Sequence, residues 1–436
     1  MQFPLMYFFK NELNWHVEYK CAYNLPSITE TVPDLVILSG TGGEARCLQV
    51  LNWCHQSNIP VFSSFEEGMF REKDLDEFLW GWNKSGNFKE QLRMLWSMSS
   101  YKMAVKKYPI LKQKLCVSGA TGMDKYTLLC NKYNDTRGFK KFVGYAGFDF
   151  HRWLNNPTDN SLENSVDPEF IKYLTNKLKI IKSILEYLIK SNDDVLFLIK
   201  SHPADQGQIP LEIDELENFQ NVKVIRSKSE PIAKVVASSD IWLCGNSTTV
   251  IDGWLCKKPT IAFVGKNQEK TIPALNASIL SQDKKQIDGY IKEFYKKKKI
   301  SHFERLEKER ERHISDLIGF SDGMNHIRYM SFLKPVIEAI DSQEKVAKRW
   351  KISLKERLLE TLKHYIYCVS KGRQNVPFLS KWAHTYERFK RKDLQIFWDT
   401  YEADISKFYD NNREKIDYLY NNYRDIFESE RKISGE

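Results

Sequence analysis

Short apolar runs that alternate with helical patterns are the feature that most constrains how this chain of 436 residues folds. In chain order the runs are residues 33–39, 59–63, 115–118, 141–147, 194–200, 221–226, 240–244 and 259–264. Most are separated by segments in which apolar residues recur at helical spacing. Strands alternating with helices in this way pair in parallel and form doubly wound sheets. The sequence therefore predicts an α/β fold with two Rossmann-like domains.

Domain boundaries follow from where the pattern changes. The polar stretch 131–141 contains Gly138 and predicts a hinge, and no strand pattern follows about residue 302. We predict a first Rossmann-like domain at 1–138, a second at 139–335 and a C-terminal helical extension at 336–436. Within the first domain, the apolar segment 3–9 is interpreted as a first core strand, and residues 74–108 as rich in helix.

Composition excludes several classes of protein. No run of 18 apolar residues predicts a transmembrane helix, and residues 3–9 are too short for a signal peptide, so we expect a cytoplasmic protein. The eight Cys have no C-x-x-C spacing, which predicts buried free thiols. The net charge is +9, with basic stretches at 296–299 and 345–357. These are solvated helix faces or attract an anionic partner such as a phospholipid surface, and no nucleic-acid-binding module is recognisable.

Three loops follow strands of the predicted sheet, at residues 144–147, 201–203 and 245–249, and the last two carry residue types that suit phosphate binding. Ligands of open parallel sheets bind beyond the carboxyl ends of the strands. Ser247-Thr248-Thr249 opens a helix, where backbone N–H groups and hydroxyls bind phosphate, and Gly245 allows close approach. A plain helix N-cap is the alternative. His202 follows a buried strand and is suited to donate to, or protonate, a phosphate, although a lone His is more often structural.

The order of these motifs resembles the second domain of GT-B glycosyltransferases. Lys200-Ser201-His202-Pro203 looks like their HP motif, and Ser247-Thr248-Thr249 looks like their Ser/Thr-rich SS motif. Sialyltransferases, Kdo transferases and CDP-glycerol-type polymerases carry this pair. In the first domain, residues 63–68, 86–89 and 117–124 look like a bacterial surface-carbohydrate biosynthesis family. Some members of that family are thought to transfer nonulosonic acids from CMP donors.

The resemblance implies a GT-B fold in which the first domain binds the acceptor and the second binds the donor. His202 would bind or protonate the donor phosphate, and Asp252 would bind ribose. The nucleotide and donor site implied in this way consists of Gly144, Tyr145, Ala146, Lys200, His202, Pro203, Gly245, Asn246, Ser247, Thr248, Thr249 and Asp252.

An inverting transferase also needs a general base for the acceptor hydroxyl, which in this fold usually lies in the first domain. Glu66 and Glu67, in a loop after a buried strand, are the leading candidates. Glu44 comes next, and Asp124 is a further alternative. Asp74-Leu75-Asp76 is formally D-x-D but begins a helix-like segment, and no cluster has metal-ligand spacing. We therefore expect no metal and no cofactor apart from the nucleotide-sugar donor.

Together these features predict an inverting, metal-independent glycosyltransferase. It would move a sialic, pseudaminic or legionaminic acid, or Kdo, from a CMP donor to a cell-surface or lipid-linked glycan acceptor. The alternatives are a CDP-glycerol-type polyol-phosphate transferase, a UDP-sugar-dependent transferase or epimerase, and an inactive nucleotide-sugar-binding subunit. Trp350, Trp382 and Trp398 in the basic C-terminal helices indicate a peripheral membrane surface, on the inner face, or packing against the first domain or a second subunit.

Overall fold

A computed structural model gives the fold. It describes residues 3–20, 22, 25–39, 45–65, 72, 75–81, 88–128, 136–147, 168–201, 211–226, 230–264, 272–342, 349–370 and 391–433.

The chain divides into two compact units. Unit 1 consists of Met1–Asp124 and Ser315–Glu436, and unit 2 consists of Lys125–Ile314. This first boundary lies earlier in the chain than the predicted domain end at 138, because residues 125–128 pack on helices of unit 2. The predicted extension at 336–436 belongs to unit 1, where the Tyr423 hydroxyl donates to the Val117 carbonyl at 2.9 Å.

Unit 1 contains a four-stranded sheet in which all strands are parallel and follow chain order, β1-β2-β3-β4. The strands are β1 (Val36–Ser39), β2 (Val61–Ser64), β3 (Leu92–Leu95) and β4 (Leu115–Val117). The helices before the chain leaves this unit are α1 (Phe3–Tyr7), α2 (Leu25–Thr29), α3 (Ala45–Gln56), α4 (Leu75–Leu79) and α5 (Met98–Lys107). Short 3-10 turns cover Pro109–Leu111 and Thr121–Met123.

Two predictions for unit 1 are wrong. Residues 3–9 are not a strand: α1 continues into a π turn at Phe8–Glu12. This segment is apolar on all sides and is buried against aromatic side chains of the C-terminal helix, with the Tyr7 and Tyr409 rings 4.9 Å apart. The interpretation of 74–108 as helical fails at β3. The apolar spacing there matches a helix over only a few residues, whereas the run lies between two strands and is largely buried.

Unit 2 is a six-stranded parallel sheet with strand order β10-β9-β8-β5-β6-β7. The strands are β5 (Phe142–Ala146), β6 (Leu196–Lys200), β7 (Val222–Ile225), β8 (Ile241–Cys244), β9 (Thr260–Ala262) and β10 (Ile279–Leu280). The helices are α6 (Lys125–Leu128), α7 (Pro168–Ser191), α8 (Ile232–Ser238), α9 (Thr249–Leu255), α10 (Lys284–Lys297), α11 (Ser301–Glu304) and α12 (Glu307–Ile318), the last of which runs into unit 1. Additional 3-10 turns cover Leu216–Asn218 and Pro273–Ala277.

This strand order is that of a Rossmann sheet, in which the first strand is central and the chain winds outward first on one side and then on the other. The buried apolar runs account for a parallel sheet that is covered on both faces, since β6 and β8 are buried at every position. The predicted two-domain Rossmann-like α/β fold with a helical C-terminus is confirmed.

Within its described residues, the C-terminal part of unit 1 contains three long helices: α13 (Asn325–Asp341), α14 (Leu354–Ser370) and α15 (Arg391–Ile433), the last interrupted at Asn412. Trp350 is buried in a core cluster with residues of α3, and Trp398 contacts Phe3. These two Trp residues therefore pack within unit 1, whereas Trp382 lies outside the described residues. No helix in the described part of the chain is long and apolar enough to cross a membrane.

Candidate functional site

The candidate site lies at the carboxyl edge of the unit 2 sheet. β5 pairs with β6 on one side and with β8 on the other, so the direction of winding changes between β5 and β8. In open α/β sheets this topological switch point leaves a crevice where ligands bind. β5 ends at Ala146 and β8 ends at Cys244. Two of the three predicted loops therefore begin at the switch point, and the third follows β6, the other neighbour of β5.

The loop after β8 is ordered by its own side chains. The Asn246 side-chain oxygen accepts from the Ile272 amide at 3.1 Å, and the Ser247 hydroxyl accepts from the Thr249 amide at 3.3 Å. The Trp242 indole N–H donates to the Thr249 hydroxyl at 3.3 Å. Thr248 is exposed, and its side chain makes no capping bond to α9. Ser247 and Thr248 are therefore the hydroxyl groups that this loop offers to a ligand.

The seven-residue length of α9 changes part of the sequence-based prediction. A helix of two turns has a small macrodipole, and its N-terminus alone is a weak anion site. The loop amides and the two hydroxyl groups therefore carry the prediction of phosphate binding. Gly245 is buried directly after β8, as expected for a residue that keeps the backbone close to the sheet.

At the end of β5, two predicted pocket residues have packing roles. A Cβ at Gly144 would lie 2.2 Å from the Ser239 hydroxyl oxygen, so the packing of Ser239 and Trp242 against β5 requires glycine at this position. The Tyr145 ring is buried and stacks on Phe263 with 5.9 Å between centroids. Ala146 is also buried. That these residues line a nucleotide pocket stays a prediction, and it concerns their backbone rather than their side chains.

The end of β6 is only partly described. Lys200 is 5% exposed, and its amine donates to the Ser201 carbonyl at 3.3 Å. The Ser201 hydroxyl donates to the Ile225 carbonyl at 3.3 Å, which ties the end of β6 to β7. His202 and Pro203 lie outside the described residues, so their predicted roles stay predictions.

Asp252 lies in the first turns of α9 and is 7% exposed. Its carboxylate accepts a hydrogen bond from the Tyr126 hydroxyl, and the half-buried Lys125 amine lies near enough to interact with it. Burial raises the pKa of Asp252, and Lys125 and Tyr126 partly oppose that rise. Burial likewise lowers the pKa of Lys125, and Asp252 opposes it. No sequence motif points to these two partners, because they precede the strands of unit 2; ribose binding by Asp252 stays a prediction.

The base candidates of unit 1 have different outcomes. Glu44, Glu66 and Glu67 lie outside the described residues, so their assignment stays a prediction. Asp124 is buried, and its carboxylate accepts from the Asn325 and His326 amides at 3.1 and 2.8 Å. The same carboxylate lies 2.8 Å from the His326 ring Nδ1. Asp124 therefore caps α13 and does not face solvent.

The described acidic, histidine and cysteine side chains are the candidates for metal and thiol chemistry. The described residues contain no group of three His, Cys, Asp or Glu side chains that could hold a metal ion. Asp76 of the D-x-D sequence instead accepts from the Tyr108 hydroxyl at 2.6 Å. Cys47, Cys54, Cys116, Cys244 and Cys256 are free thiols. Burial raises the pKa of Cys54 and Cys244 to about 12, which favours the unreactive protonated form.

Comparisons with known proteins give likenesses of fold only. No family model and no curated protein matches the chain. Similar solved structures include MnaA of S. aureus with UDP, at 13% identity and a TM-score of 0.45, covering 75% of this chain and 81% of that one. A UDP-GlcNAc 2-epimerase from Neisseria meningitidis bound to UDP-GlcNAc has 15% identity and a TM-score of 0.42, covering 71% and 77%. The wall teichoic acid polymerase TagF has 13% identity and a TM-score of 0.39, covering 66% and 69%. Likenesses of this size define neither a family nor a substrate.

Proposed function

We propose that the chain is a glycosyltransferase that binds a nucleotide-sugar donor at the switch point of unit 2. One observation carries the proposal: the Ser247-Thr248 loop follows β8, at the place where the winding of a Rossmann sheet reverses beside β5. This is where such a sheet leaves a ligand crevice, and hydroxyl and amide donors are what a nucleotide phosphate requires there. The donor class that we propose is a CMP-activated nonulosonic acid or Kdo.

In this proposal the Ser247 and Thr248 hydroxyls donate to the phosphate, and His202 donates a hydrogen bond or a proton to it as it leaves. A carboxylate of unit 1, Glu66, Glu67 or Glu44, takes the proton of the acceptor hydroxyl. The acceptor oxygen then bonds to the anomeric carbon, while the bond from that carbon to the phosphate oxygen breaks and CMP departs. The acceptor is a cell-surface or lipid-linked glycan, and the lipid-linked class would place the protein at a membrane surface.

The donor site is tested first by thermal unfolding with CMP, CDP, UMP, UDP, GDP and dTDP, each with and without EDTA. A ligand at 100 times its Kd stabilises the native state by about 2.7 kcal/mol, which for a domain of this size is a shift of about 5–10 °C in Tm. We expect the largest shift with CMP and no effect of EDTA. A shift with UDP or CDP alone would replace the donor class but keep the site. No shift with any nucleotide would refute the site.

The residues are tested with Ser247→Ala/Thr248→Ala and, as a matched control, Ser183→Ala, which removes an exposed hydroxyl from α7 of the same unit. Hydrogen bonds to charged groups contribute about 1.5–3 kcal/mol each. The double variant should therefore raise the Kd for CMP at least about tenfold. The control should bind as the wild type does, and equal binding by all three proteins would remove the loop from the site.

Turnover separates a transferase from an inactive binding subunit. We expect His202→Ala to lower turnover without lowering the Tm of the free protein. Among Glu66→Gln, Glu67→Gln and Glu44→Gln, one variant should lose turnover and still be stabilised by CMP. Wild-type turnover in His202→Ala would remove that residue from the mechanism. Stabilisation by CMP with no turnover in the wild type would favour the binding-subunit alternative.

A further inference from the structure

Helix α14 presents an apolar stripe to solvent. Leu354, Leu358, Leu362 and Tyr365 are 74%, 63%, 54% and 66% exposed. An α-helix turns about 100° per residue, so these four positions share an arc of about 80° on one side of the helix. Scattered exposed apolar residues are ordinary, but a continuous stripe over three turns marks an interaction surface.

The opposite side of α14 is the one that packs. Glu360 lies about 160° from the middle of the stripe, is 2% exposed and accepts from the Arg46 guanidinium at 2.6 Å. The helix also packs on α2. A helix that stabilises a domain buries its leucines and exposes its carboxylates. In α14 the arrangement is reversed, so the buried Arg46–Glu360 pair fixes the helix with its apolar side outward.

Cations flank the stripe on both sides. Lys355 and Arg357 lie beyond its two edges, and both are exposed. Arg349 and Lys351, just before the helix, are exposed as well. In the sequence, residues 344–392 contain fourteen Lys and Arg against four Asp and Glu, a net charge of +10 in a chain whose total is +9. The positive excess of the whole chain is therefore concentrated in the segment that contains this helix.

We propose that α14 docks on the surface of an anionic phospholipid bilayer. Its leucines and Tyr365 would enter the boundary between headgroups and acyl chains, and Lys355 and Arg357 would contact the lipid phosphates, as in interfacial amphipathic helices. Charge complementarity favours this occupant over a second copy of the chain. Pairing two stripes face to face would bring the flanking cations of both helices together, and such like-charge contacts are unfavourable. The inference is independent of the proposed nucleotide site.

The test uses the full chain and sedimentation with vesicles of phosphatidylglycerol and phosphatidylcholine in equal parts, and of phosphatidylcholine alone. We expect binding to the anionic vesicles that weakens with salt. Leu358→Ser/Leu362→Ser should reduce that binding about 10- to 30-fold, because two half-exposed leucines lose their burial in the membrane. The matched control is Ile110→Ser, which removes an 85% exposed apolar side chain elsewhere in unit 1.

A second variant tests the charges. Lys355→Glu/Arg357→Glu should bind the anionic vesicles more weakly and with a smaller dependence on salt, while the Tm stays that of the wild type. Equal binding by the wild type and the serine variant would overturn the proposal, as would no binding by the wild type. A wild-type dimer that the serine variant converts to a monomer, without vesicle binding by either, would show that the stripe joins two copies instead. Weaker vesicle binding by both variants than by the wild type and by Ile110→Ser, at an unchanged Tm, would support docking of α14 on the bilayer.

Discussion

The carboxylate of Asp124 gives a prediction that separates a structural role from a catalytic one. Asp124 follows β4 on a loop with Gly119 and Gly122, which makes it a candidate base from the sequence. In the structure it accepts from two amides at the start of α13 and lies 2.8 Å from the His326 ring. The other ring nitrogen of His326 lies 2.8 Å from the Tyr409 hydroxyl of α15. Asp124→Ala should therefore destabilise unit 1.

The expected size follows from the hydrogen bonds that the substitution removes. Removing a helix-capping side chain costs about 1 kcal/mol. Leaving the buried His326 nitrogen without an acceptor costs about 1–3 kcal/mol more. A total near 3 kcal/mol corresponds to a fall of about 6–12 °C in Tm for a unit of this size. Asp124→Asn keeps one side-chain oxygen as an acceptor and should lose about half as much.

Urea and thermal unfolding, followed by circular dichroism, measure the effect. The matched control is Asp425→Ala, an exposed position on α15, where the change should stay within about 0.5 kcal/mol. CMP stabilisation should be unaffected in all three variants, because the proposed nucleotide site is in unit 2. If Asp124→Ala unfolds like the control but abolishes turnover, the carboxylate is catalytic and the structural role is refuted.

Two further substitutions test the packing of unit 2 and an ion pair of unit 1. Gly144→Ala places a Cβ 2.5 Å from the Trp242 ring and should lower the stability of unit 2 by about 1–3 kcal/mol. The control Gly289→Ala has open space around it in α10 and should be neutral or stabilising, and equal urea midpoints for the two variants would contradict the steric explanation. For Asp322, burial alone would raise the pKa, but the Arg328 guanidinium, at 2.8 Å on both oxygens, and Lys415 lower it below its usual range. The stabilising contribution of the Asp322 ion pair is present above the unfolded pKa of about 3.9 and is lost as pH falls. The difference in Tm between the wild type and Asp322→Asn should therefore be full at neutral pH and shrink below about pH 4. An equal difference at both pH values would exclude a stabilising role for this ion pair.

Much of the fold could be predicted because buried parallel strands leave a clear pattern. The run at 194–200 is apolar except at its ends, and the strand that it forms, β6, is buried at every position. The prediction fails where local pattern is ambiguous. β3 is four residues long and fits helical spacing, and α1 is a short apolar segment whose shape is decided by the C-terminal helix. Contacts between residues so distant in sequence are not encoded in local periodicity.

Parts of the candidate site could likewise be predicted from the sequence, and other parts could not. The alternation of strands and helices predicts that the loop after β8 lies at the carboxyl edge of a parallel sheet, whereas its place beside β5 follows from the strand order that the structure shows. The partners of Asp252, Lys125 and Tyr126, could not be predicted in this way, because α6 precedes the unit 2 strands and its contact with α9 depends on tertiary packing. The same holds for Asp124: glycine-rich surroundings after a strand suggest a functional loop, but the amides that it caps lie two hundred residues later in the chain.

The bonds around the Ser247-Thr248 loop bear on the proposal that it binds a phosphate. Asn246 is held through the Ile272 amide on one side, and Thr249 through the Trp242 indole on the other. One turn further, Asp252 is held by the Tyr126 hydroxyl. Because donors that are fixed before binding add affinity by lowering the entropic cost, we expect the packing around this loop, rather than the seven-residue helix, to decide whether it binds a phosphate.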